Sequence, residues 1–180
     1  MGAIPKGTKY IKTIPFFLKI AEFGVLLIAM STLGAFLHNV GSVINPWGGK
    51  GSLYFGMFAI VVSWIVVMVM VVVFVTGLHE KVTVINWPLT VFINMVLWGV
   101  MLLIACGVMS NTLRKYYSKK TSYTLCNFLD TDKVGVTCFH LISATVCCFI
   151  ATIILAVDAN LNYHLFKSRT CTTTPVTLII

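Results

Sequence analysis

Hydrophobic positions in this chain do not stripe one face at period 3.6 or alternate at period 2. They gather into four long blocks, at about 15–37, 53–78, 87–109 and 134–157. Each block exceeds the ~20 residues that carry an α-helix across a hydrocarbon core of ~30 Å. Short alternating segments, the mark of barrel strands, are absent, so backbone hydrogen bonds must close within each helix. The pattern predicts an all-α integral membrane protein, an antiparallel four-transmembrane-helix bundle. A tail at 1–14 precedes the helical domain at 15–166, and a second tail covers 167–180. The first block follows a polar lead, is too long for a signal core and has no small-residue cleavage site after it, so it reads as a permanent span.

The interruptions are polar and short: 38–52, 79–86 and 110–133. None is long enough for a separate folded domain. In the second, TGLHEKVTVINWPL, Leu78 closes one span and His79, Glu80 and Lys81 face water. Asn86 then caps the next helix, with Trp87 as an interfacial anchor and Pro88 in its first turn. In the first loop, Asn45-Pro46-Trp47-Gly48-Gly49 makes a tight turn that sets Trp47 at the opposite interface.

Composition supports the membrane reading. Hydrophobic residues make up 58% and charged residues 10% of the chain, against ~25% charged in soluble domains. Charge does not fix orientation. With both termini cytoplasmic, Lys6, Lys9, Lys12, Lys19, Lys81, Lys167 and Arg169 lie inside. Lys50, Arg114, Lys115, Lys119, Lys120 and Lys133 then lie outside, which is close to a tie. Cysteines favour that orientation nonetheless. Cys126 and Cys138 flank the third loop at a separation a disulfide can close, and such a bridge belongs in an oxidising compartment. Cys106, Cys147 and Cys148 fall within helices, where a thiol behaves as a small hydrophobe.

Candidate chemistry is sparse. Glu22 lies about two turns inside the first span, and Lys19 is three residues away on the same face. An intramembrane carboxylate is a functional candidate by default. The plainer expectation is an interfacial ion pair that fixes helix depth, with Lys19 snorkelling to the headgroups. His79-Glu80 is half of a zinc-protease motif, but position 83 is Thr, so metal-binding spacing is missing. There is no catalytic set, no phosphate-binding loop and no basic-aromatic face for nucleic acid. The fourth block carries two rows of small residues: Ser143, Cys147 and Ala151, and beside them Ala144, Cys148, Thr152 and Ala156. Such rows let a neighbouring helix approach closely, within the bundle or from a partner. The second block is bulky and β-branched, with only Ser63 polar at depth, and reads as lipid-facing. Leu178 and Ile180 give the C-terminus a hydrophobic ending of the kind that some peptide grooves capture.

Taken together, these residues resemble the MARVEL-domain proteins. FFLKIAEFGVLLI resembles the start of that family's first helix, and ATIILAVDANLNYHLFKS its fourth. The Leu78-His79-x-Lys81 step, Trp87-Pro88-Leu89 and Asn94 are similar to the plasmolipin and chemokine-like-factor branches. The third loop, with RKYYSKK and Cys126, is longer and more basic than in many relatives. The resemblance implies a non-enzymatic membrane organiser or accessory subunit, acting in lipid microdomains, vesicle traffic or junctions. Its ligands would be membrane lipids, cholesterol among them, and its partners other integral membrane proteins or further copies of itself. A channel or transporter is the competing expectation. It needs Ser63, Asn94, Ser143 and Thr152 to converge in the bundle.

Overall fold

The computed structural model describes residues 14–40, 48–77, 87–118, 124–131 and 137–172. Four long helices account for nearly all of it: α1 Ile14–Val40, α2 Lys50–Val75, α3 Trp87–Tyr117 and α5 Cys138–Thr172. A seven-residue helix, α4 Leu125–Thr131, lies between the last two. All four long helices are long and apolar enough to cross a membrane, over Phe16–Val40, Lys50–Val75, Leu89–Tyr117 and Cys138–His164. The chain is a multi-pass integral membrane protein.

The helices form a closed ring. α1 packs on α2 and α5, α2 on α3, and α3 on α5, while diagonal pairs scarcely touch. Spacing decides which residues face inward. On α1, Leu26, Ala29, Leu33 and Phe36 are fully buried at steps of three and four. α2 follows the same rule, burying Gly56, Ile60, Ser63, Val67, Met70 and Phe74. It is therefore a bundle helix with one inward face, not the wholly lipid-facing element its composition suggested. Val69 and Val72 take the outer side and stay about half exposed. The periodicity is invisible in hydropathy because lipid accepts the same residues as the core.

Two tight contacts set the α2–α3 spacing. Met109 sits over Gly56, where an added Cβ would lie 2.5 Å from its sulfur. At the start of α2, Gly48 and Gly49 have φ of 72° and 86°. That left-handed step favours glycine. The Tyr116 hydroxyl donates to the Gly48 carbonyl at 3.0 Å. Tyr116, wholly buried, thus ties the end of α3 to the start of α2.

The helices depart from the hydrophobic blocks at their ends. α3 runs on to Tyr117 and α5 to Thr172, so Arg114 and Lys115 belong to helix α3 and not to the third loop. α5 in turn continues as helix into the segment read as a C-terminal tail. Once a helix has started, polar residues beyond the membrane edge extend it at little cost.

Candidate functional site

The buried charged side chains among the described residues converge at one end of the bundle. Lys19 and Glu22 come from α1 and Asp158 from α5, with exposures of 1%, 0% and 0%. The Lys19 ammonium donates to Glu22 Oε2 at 3.1 Å and is ion-paired with Asp158 Oδ2. Its nitrogen also lies 2.8 Å from the Met95 sulfur on α3. Asn162, one turn beyond Asp158, donates to that residue's carbonyl at 2.8 Å and to Oδ1 at 3.2 Å. Glu22 Oε1 finds no hydrogen-bond partner among the described residues. One ammonium therefore serves two buried carboxyl groups.

This corrects the expectation that Lys19 snorkels to the headgroups. The side chain turns inward, where Asp158 offers a second anionic partner across the α1–α5 contact. Asp158, Asn162 and Met95 are members that sequence reasoning left out. The signal was available for Asp158: it closes the fourth span on the side where Lys19 opens the first.

A lateral groove adjoins the cluster. It lies between α3 and α5, has a volume of about 580 Å³, and is lined by residues including Phe92, Met95, Gly99, Thr152, Ala156 and Tyr163. Met95 belongs to both features: its side chain forms part of the groove wall and meets Lys19. Phe92 and Tyr163 close one end, with ring centroids 5.5 Å apart.

The small residues of α5 divide between the bundle and the lipid. Ala144, Cys148, Ala151 and Thr152 are buried, and the Cys148 thiol reaches the Leu102 carbonyl of α3 at 3.7 Å. Ser143 and Cys147 are half-buried, while Ala156 is exposed on the groove. No hydrogen bond links the polar residues a pore would need, among those described. Thr152 donates to the Cys148 carbonyl of its own helix, Ser63 Oγ has no partner among the described residues, and Asn94 and Ser143 are half-buried.

At the opposite end, Cys126 and Cys138 form a disulfide with Cα atoms 5.5 Å apart. It joins α4 to the start of α5 and buries Leu125 and Leu129 with it. The Thr124 hydroxyl accepts the Asn127 N–H at 3.2 Å and caps α4. Trp87 is half-buried and packs edge-on against Phe74, centroids 6.1 Å apart, so it braces α2 against α3. Pro88 falls in the first turn of α3. Trp47, His79, Lys81, Leu178 and Ile180 lie outside the described residues. Among those that are described, no group of His, Cys, Asp and Glu could hold a metal ion.

No curated protein and no solved structure matches the chain. The model of the MARVEL family, described as a membrane-associating domain, matches residues 10–161. That match covers the first three apolar helices and most of the fourth, with Lys19, Glu22 and Asp158 inside it, and the chain belongs to the MARVEL family.

Proposed function

We propose that the chain is a non-enzymatic membrane organiser, or an accessory subunit of another membrane protein. It would act through lateral contacts with lipids and with partner transmembrane helices. The observation that carries this reading is the sorting of polarity in the bundle. Lys19, Glu22 and Asp158 turn inward and pair with one another. The outer surface at membrane depth presents half-exposed residues such as Ile28, Val69, Leu97, Leu103 and Ile153. A surface of that kind offers lipids and neighbouring helices shape and hydrophobic length, not chemistry.

Roles in microdomain assembly, vesicle traffic or junctions rest on the resemblance of Leu78-His79-x-Lys81, Trp87-Pro88-Leu89 and Asn94 to the plasmolipin and chemokine-like-factor branches. The ligands are membrane lipids, cholesterol among them. The partners are other integral membrane proteins or further copies of the chain. Both termini are cytoplasmic in this reading, which puts the disulfide on the oxidising side, and the membrane is the plasma membrane or an endosomal one.

Proximity labelling from the full-length chain in its native cells tests the proposal. A reproducible set of integral membrane neighbours is expected, and labelling no different from an unrelated four-span control would overturn it. The buried charges give some ground to a channel or transport role. Purified chain in liposomes decides that: a selective flux abolished by Glu22→Gln would replace the organiser reading.

A further inference from the structure

The groove between α3 and α5 has a length, a polarity and a charge that together select an occupant. Its ends are marked by Phe92 and Leu103 on α3 and by Tyr163 and Thr152 on α5. At 1.5 Å rise per residue either wall measures about 16 Å, roughly half of a ~30 Å hydrocarbon core. The groove is therefore one leaflet deep. A spanning helix from a partner would bury the full thickness, whereas a single lipid ends where this groove ends. Its volume of about 580 Å³ lies within the ~300–1,000 Å³ typical of small-ligand sites.

The small residues Gly99 and Ala156 leave the groove open at its middle, and Thr152 presents no free donor because its hydroxyl is bonded to the Cys148 carbonyl. Polar groups with donors to spare occur at one end alone. Asn160 and Tyr163 line the mouth, and exposed Lys167 stands one turn beyond Tyr163, just past the end of the apolar span at His164. The nearest described acid on α5, Asp158, is buried and paired with Lys19, so it does not offset that cation. The mouth is thus a hydrogen-bonding, positively charged rim above an apolar channel.

We infer that the α3–α5 groove is a specific site for one anionic glycerophospholipid. Its phosphate meets Lys167, Tyr163 and Asn160, and one acyl chain lies along Gly99, Val100 and Leu103. A sterol would use the channel but not the cation. With both termini cytoplasmic, this leaflet is the one rich in anionic lipid. The inference deepens the organiser reading and rests on it, naming the lipid class and the place.

The test uses the full chain in phosphatidylcholine nanodiscs carrying a phosphatidylserine with a diazirine on its acyl chain. Adducts are mapped by mass spectrometry. Label is expected on the α3 and α5 peptides of the groove, with unlabelled phosphatidylserine competing about fivefold better than phosphatidylcholine, the worth of one juxtamembrane cation. Lys167→Gln should erase that preference while leaving the chain label in place. Gly99→Leu should remove the label; a Cβ there meets only Leu155 Cβ at 3.9 Å. Ala156→Phe, from the other wall, is an independent blockade if the first variant fails to fold.

Label spread evenly to outer positions such as Val69 and Val72, or equal competition by phosphatidylcholine, would overturn the site. So would a photoreactive sterol that labels the same peptides and is not displaced by phosphatidylserine. Absence of the lipid preference in the wild-type chain, with its proximity neighbours present, refutes the site alone. Loss of neighbours with site labelling intact refutes the organiser reading and keeps the site.

Discussion

Lys19 is the residue whose replacement should cost most. It is the one cation facing Glu22 and Asp158 within the described residues, and all three are buried. Lys19→Met leaves two carboxyl groups without their counter-charge, a loss of about 3–5 kcal/mol for a broken buried pair. A fall in the thermal midpoint in mild detergent measures it. The triple variant Lys19→Met, Glu22→Gln, Asp158→Asn should recover most of that loss, because an uncharged site of similar volume needs no pairing. If the triple variant melts as low as the single one, the cluster acts by shape and not by charge. Gly56 gives a contrasting case, governed by space. Gly56→Ala drives a methyl to 2.5 Å from the buried Met109 sulfur, and overpacking of this kind costs about 1–3 kcal/mol. Adding Met109→Ala should relieve part of that strain, visible as a smaller shift in the double variant than the sum of the singles.

At the level of elements, what could be read from the sequence depended on what lipid permits. The spans were legible because their length and apolar content are fixed by membrane thickness. Their inward faces were not, since Ile60 inside and Val69 outside carry the same hydropathy. α4 was missed altogether. Seven residues hold no periodicity, and what makes them a helix is tertiary: the Thr124 cap, buried Leu125 and Leu129, and the Cys126–Cys138 bond. That dependence yields a prediction. Cys126→Ser should free α4 from α5 and lower stability by about 3 kcal/mol, as expected for the loss of a bridge closing a loop of this size. The readouts are a lower thermal midpoint and faster proteolysis between 118 and 137. Non-reducing peptide mapping of the wild-type chain should recover the Cys126–Cys138 linked pair. The charge cluster was half legible: Lys19 and Glu22 are neighbours in sequence, whereas Asp158 joins them only when α5 closes the ring.

For the molecule as a whole, its asymmetry between ends matters most. One end carries the disulfide, α4 and the exposed Arg114 and Lys115; the other carries the buried charges and the groove mouth with Lys167. Orientation relative to the cell decides which lipid leaflet meets that mouth. An Asn-x-Thr acceptor site inserted after Ser118 should be glycosylated in a secretory cell line, while one appended after Ile180 should not. The reverse result would turn the bundle over and move the groove to the opposite leaflet.

The partners of the charge cluster also differ in when they exist. Lys19 and Glu22 leave the ribosome with the first span, and Asp158 with the last. At ~5–20 residues per second, the ~140 residues between them take roughly seven to thirty seconds. Throughout that interval α1 holds two charged side chains without their α5 partner, near the end of its span where hydrocarbon penalises charge less than at the centre. The cluster is therefore complete only once α5 has been made and packed on α1. The ion pair between Lys19 and Asp158 that closes the ring is thus the last of the cluster's contacts to form.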